Sequence, residues 1–184
     1  MRHKRWLIRV IQLLGLGLYL SIGALAADVS RDKILATFSA YEALNADFLS
    51  SVEKGQGRSG KSYSALRKEA EAYAEGPFHN ALNAAQTQVC RFKDIEILNA
   101  LFHVTISTSN SADEAPAWTL GHIFVCQPDI VKTAFSALPP TKQQDLYKTL
   151  EFGFENAVYR KPKNDKMVDA LRRKLHTMAP GGVQ

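Results

Sequence analysis

A chain of 184 residues, 46% hydrophobic and 22% charged, is large enough to bury one real core, and it carries a formal charge of +5. That charge would ordinarily point to nucleic acid or an anionic surface, but four of the 23 basic residues stand at the extreme N-terminus, ahead of an apolar run. Without those four the balance is 19 basic against 18 acidic side chains, a formal +1, and the main support for a nucleic-acid partner is gone.

The first 26 residues have the layout of an export signal. Arg2, Lys4, Arg5 and Arg9 form a positive start, Val10 to Leu25 is apolar, and Ala24-Leu25-Ala26 supplies the small residues a signal peptidase accepts. Cleavage is expected between Ala26 and Ala27. The competing reading is an uncleaved anchor, but the run contains Gln12 and several glycines and falls short of the roughly 20 apolar residues of a comfortable span. No cysteine lies near the cut, so lipid attachment there is not expected. The mature chain, residues 27–184, is then a soluble single all-α domain of a periplasm or of the cell exterior.

Helical periodicity dominates the mature chain. Ser30 is placed to cap a helix whose stripe is Ile34, Phe38, Tyr41, Phe48 and Val52, ending near Lys54. Gly55-Gln56-Gly57-Arg58-Ser59-Gly60 breaks the pattern into a loop. A solvated helix from Tyr63 to Glu75 is expected to stop at Gly76-Pro77. Leu82, Ala85, Val89 and Phe92 mark the next helix, and Ile95, Leu98, Leu101, Phe102, Thr105 and Ile106 give a broad apolar face to a central one.

Ser111 and Glu114 have the spacing of a capping box, which predicts a helix from Ala112 to Cys126. Pro128 suits the first turn of another, lined by Ile130, Val131, Ala134, Phe135 and Leu138 and ended by Pro139-Pro140. Thr141 and Gln144 offer a second capping box before Leu146, Tyr147, Leu150, Gly153, Phe154, Ala157 and Val158. Lys161-Pro162-Lys163 reads as a hinge, Asn164 as the cap of a last helix carrying Met167, Val168, Leu171 and Leu175, and the tail beyond Ala179 as frayed. About seven short helices with tight turns make an all-α fold of stacked helical hairpins, small and solenoid-like or an irregular bundle.

Cys90 and Cys126, an even pair in an exported chain, read as one disulfide. A metal site would need two further ligands, and only His122, at i−4 from Cys126, is near in sequence. Gly55 to Ser62 satisfies GxxxxGK[ST] literally, yet the residues before it belong to an amphipathic helix where a phosphate-binding loop needs a buried strand, so it reads as a glycine-rich linker. No other catalytic or cofactor motif is legible, and no cofactor is expected. His103 and His122 sit on predicted helices that could meet across a hairpin, and Glu151 and Glu155 stand one turn apart, where solvated charges are the simpler reading.

From Arg160 onward seven basic residues face two acids, and Arg172, Arg173 and Lys174 crowd the last helix, where they also complement its dipole. Trp118 and Phe152 are the aromatics most easily imagined as anchors. Burial is the expected fate of both, and exposure of either marks an interface. These features together lead to the expectation of an exported helical module that binds another protein, as an inhibitor, as an immunity protein against an envelope-acting toxin, or as an accessory subunit in a bacterial periplasm. The alternatives are an enzyme whose His/carboxylate site is assembled only by the fold, and, less favoured, a membrane-surface factor using the basic C-terminal helix.

Overall fold

Eight α-helices arise from this pattern in a computed structural model that describes residues 29–162 and 164–180. The leader, the junction between Ala26 and Ala27, Lys163 of the expected hinge and residues 181–184 of the tail lie outside the described residues. The helices are α1 (Arg31–Lys54), α2 (Tyr63–Tyr73), α3 (His79–Phe92), α4 (Ile95–Ser107), α5 (Ala115–Cys126), α6 (Pro128–Ser136), α7 (Pro140–Val158) and α8 (Lys166–His176), with a π-helical turn at Ala74–Phe78. Among the described residues the one extended pairing is an isolated bridge between Gln56 and Ser62, and no helix is long and apolar enough to cross a membrane.

The first helix begins as its sequence dictates: Ser30 Oγ accepts from Lys33 N at 3.3 Å, and Gly55 ends it with a left-handed φ of 76°. Its first half buries Ile34, Phe38 and Tyr41, whereas its second half buries Asn45, Ser50 and Ser51 and leaves Val52 exposed. The apolar stripe thins there: Phe48, half-buried, packs on Tyr63 of α2 with ring centroids 5.4 Å apart, while the polar side chains meet turns. Asn45 Nδ2 donates to Asn110 Oδ1 at 3.3 Å, and Asp47 holds the glycine-rich loop.

Gly76-Pro77 does not stop the second helix. A proline ring clashes with the carbonyl four residues back in an α-helix, and one π turn widens the backbone enough to pass it. The chain runs on from α2 through Ala74–Phe78 into α3. The turn also delivers Phe78, fully buried, onto the Tyr41 ring at a centroid distance of 3.9 Å and edge-on to Phe38 at 5.8 Å. Burial pushes the Tyr41 hydroxyl pKa up, and its oxygen lies 3.4 Å from Ser111 Oγ.

Three caps differ from those the sequence suggests. Ser111 and Glu114 form no capping box, because Ser111 Oγ accepts from Asp113 N and Asp113 Oδ1 from Ala115 N, so tandem polar turns delay α5 to Ala115. Thr141 and Gln144 form none either. Pro140 opens α7 instead of closing α6, and Gln143 Nε2 reaches back to the carbonyls of Leu138 (2.8 Å) and Ser136 (3.4 Å). Asp165, not Asn164, caps α8, accepting from Met167 N at 2.9 Å.

The helices form an irregular bundle around one hydrophobic cluster. In a solenoid each hairpin would touch only its neighbours, but here α1 packs on α4, and α4 also meets α3, α5, α6 and α7. The core takes Phe102 from α4, Phe124 from α5, Phe135 from α6 and Phe154 from α7, all fully buried. Phe92 and Ile95, expected on buried faces, are exposed: they flank the left-handed reversal at Lys93, where α3 has already passed the core.

Candidate functional site

Helices α5 and α7 cross in direct backbone contact. A Cβ on Gly121 would lie 2.0 Å from Gly153 O, and one on Gly153 would lie 1.8 Å from Ala117 O. Only glycine lets the two backbones touch there. Helix α5 buries Pro116, Ala117, Thr119, Leu120, Gly121, Ile123 and Phe124, which leaves Trp118 and His122 to its outer face. Trp118, one turn before Gly121, is 40% exposed, and Phe152, next to Gly153, is 47% exposed. The burial expected for both is denied by the crossing, because at this separation the small residues occupy the interface and the large rings are turned outward.

Beside Phe152 and Lys148, one turn apart on α7, runs a groove of about 360 Å³ that Asp113 and Glu114 also line. Its hydroxyls at Thr105 and Thr108 donate to Leu101 O and Val104 O, each at 2.7 Å, so they bind their own helix and leave only lone pairs to the groove.

The second constellation lies elsewhere and is not legible in the sequence. His103 Nδ1 is 2.5 Å from Glu42 Oε1, and Ser107 Oγ donates to that same oxygen at 2.6 Å. The i,i+4 spacing of His103 and Ser107 puts them on one face of α4, but nothing local in the sequence announces Glu42, which arrives from α1. His122 does not join them; it stands exposed on α5. Among the described residues no group of three or more His, Cys, Asp or Glu is placed to hold a metal ion.

The glycine-rich loop is structural. Its amides are consumed internally, with Gly57 N donating to Lys61 O, Gly60 N to Gly57 O, and Ser59 N to Asp47 Oδ1, each at 3.0 Å. Few N–H groups remain to cradle a phosphate. The Ser59 hydroxyl and then its amide hold the Asp47 carboxyl below its ordinary range. A depressed carboxylate contributes its stability above the unfolded pKa, near about 4, and loses it as pH falls through the lower folded value. Exchange protection of the Ser59 amide is therefore expected to persist at pH 5 and to weaken on further acidification, and Asp47→Ala, which has no acceptor, is expected to remove it at every pH. Hydrogen exchange measured across that range checks both.

The basic cluster is largely engaged within the molecule. Arg172 makes a two-pronged contact with Glu155 at 2.9 and 3.0 Å and lies 5.8 Å over the Phe154 ring. Lys174 donates to Asp129 at 2.6 Å and holds that carboxyl below its usual range. These contacts tie α8 to α7 and α6, while Arg173 is exposed. Glu155 is thus an ion-pair partner and not half of a carboxylate pair with Glu151. Cys90 and Cys126 are bonded to one another, Cα atoms 5.7 Å apart, joining the ends of α3 and α5, and Gln127 Nε2 donates to Cys90 O at 2.9 Å. No protein-family model matches this chain, and no curated protein and no solved structure matches it.

Proposed function

We propose that this chain is an exported helical module, working in a periplasm or outside the cell, that binds another protein across the α5–α7 crossing. Inhibitors, immunity proteins against envelope-acting toxins and accessory subunits are the roles of this kind. The carrying observation is the exposure of Trp118 and Phe152 within one turn of a crossing where two glycines bring the helix backbones into contact. Aromatic side chains on rigid elements are the commonest anchors of protein interfaces, since they offer large area at low entropy cost. The apolar leader and the Cys90–Cys126 bridge support the compartment.

A second reading, an enzyme, draws on the Glu42–His103 contact. It is the weaker one, because the neighbouring hydroxyl, that of Ser107, is given to Glu42 and not to the imidazole, so no nucleophile is paired with its base. A membrane-surface role for α8 is weaker still, given the carboxylate partners of Arg172 and Lys174.

Trp118→Ser with Phe152→Ser is expected to leave the fold intact at a cost of about 1 to 2 kcal/mol, since each ring is only about half exposed. The same pair is expected to weaken binding by about 2 kcal/mol or more, roughly 30-fold in Kd. Crosslinking in the envelope of expressing cells, then titration of the captured partner with both proteins, measures this. A partner that binds the double variant equally well defeats the reading, and N-terminal sequencing that does not begin at Ala27 defeats the export half of it.

A further inference from the structure

We infer that a second copy of this chain covers the α5–α7 face when no other protein does, the two copies packing as a symmetric pair. The inference rests on the reading of that face as an interface and adds an occupant to it. Glu114, Pro116 and Ala117 line one groove with Lys148, Thr149 and Phe152, and farther along Gly121 meets Gly153 and Phe154, so α5 and α7 run in the same direction. For helices that run together, the residue just after a contact on one and the residue just before it on the other turn to the same side. Trp118 follows Ala117 and Phe152 precedes Gly153, so both rings look out of one face. Tyr159, 82% exposed, prolongs α7 by one residue in helical conformation. It stands two turns beyond Phe152 on the same stripe and adds a third exposed ring.

Charge decides what fits over these rings. Half-buried Asp113 and exposed Glu114 stand at one end of the face, and exposed Arg160 and Lys161 follow Tyr159 at the other. Among the described residues none of the four forms an ion pair within the molecule, in contrast to nearby Glu155, which holds Arg172. Lys148 lies at the acidic end and offsets one of its two carboxylates, which leaves that end negative and the other positive. A face with an aromatic middle and ends of opposite sign is complementary to itself. A two-fold axis set across the line between the ends lays Asp113 and Glu114 of each copy on Arg160 and Lys161 of the other, with the rings packed between. The opposite orientation sets like charges together at both ends. From Lys148 to Lys161 the face is about 20 Å long and two helices wide, at the small end of specific interfaces. Such a pair dissociates readily enough for a foreign protein to displace one copy.

Sedimentation equilibrium of the purified protein, in the form that accumulates in expressing cells, is expected to show monomer and dimer in balance with a Kd of about 10 μM. Glu114→Lys and Arg160→Glu, each on an exposed side chain, are each expected to weaken the dimer at least about tenfold, because in a symmetric pair one substitution sets like charges together twice. The two combined restore opposite charges and are expected to bring Kd back to within about threefold of the parent. Tyr159→Ser, at a position 82% exposed and so without a part in the core, is expected to weaken the dimer about tenfold. A parent that stays monomeric up to about 1 mM, a dimer indifferent to Tyr159→Ser, or a charge exchange that restores nothing overturns the proposal. A monomer that still binds a captured foreign protein through Trp118 and Phe152 also overturns it and leaves the proposed function standing. A dimer restored by the charge exchange upholds it even where no foreign protein is captured.

Discussion

Gly121→Ala is expected to destabilise the protein by about 3 kcal/mol or more, at or above the top of the range for overpacked cores. The added carbon would sit 2.0 Å from Gly153 O, 2.1 Å from Gly153 C and 2.6 Å from Phe154 N. Every one of these is a backbone atom, so no side chain can rotate away. Carbon prefers its neighbours about 3.5 to 4.0 Å distant, and the helices must separate by more than an ångström along a contact that also holds Phe124 edge-on to Phe154 at 5.5 Å. Separation loosens Leu120 and Leu150, both fully buried, as well. Against a typical total of about 5 to 15 kcal/mol, this loss is a large share. Urea denaturation gives the difference, with Gly76→Ala as the control: a Cβ there meets nothing within 4 Å, and that variant is expected to match or slightly exceed the parent. Equal midpoints for Gly121→Ala and the parent would mean that the crossing is not a rigid element.

The same crossing marks the boundary of what the sequence discloses. Period-3.6 patterning locates the buried faces of α3, α4, α6 and α7 because burial on a helix stripe is a local signal, and Ser30 and Pro128 take the positions their chemistry favours. Where two local solutions compete, tertiary context chooses. Pro77 is accommodated by a π turn since Phe78 has a place against Tyr41, and Gln143 leaves its own helix start to satisfy carbonyls at and just beyond the end of α6. Gly153 stands on the periodic stripe of α7, but nothing in the sequence pairs it with Gly121, so their contact is invisible there. Without it, nothing distinguishes an exposed Trp118 from a buried one. Glu42 and His103 are 61 positions apart, and only the packing of α1 on α4 joins them.

Removing the Cys90–Cys126 bridge is expected to cost about 3 to 4 kcal/mol on the chain-entropy model, for a loop closed across a sequence separation of 36. The loop contains all of α4 and all of α5, which ends at Cys126, two helices that meet in the bundle's core. Untied, the denatured chain gains freedom in the segment that must be ordered around the core, while the native contact of Gln127 with Cys90 O survives, since it uses a backbone carbonyl. Cys90→Ser with Cys126→Ser is therefore expected to fold to the same helical content, with a lower urea midpoint and a slightly steeper dependence on urea as the denatured state expands. Adding a reductant to the parent is expected to reproduce the shift and to leave the double variant unmoved. This also bears on compartment. In a reducing cytosol the protein forfeits that stabilisation, whereas an oxidising one preserves it. A parent protein whose urea midpoint is the same with and without reductant would detach the thiol pair from both stability and the case for export.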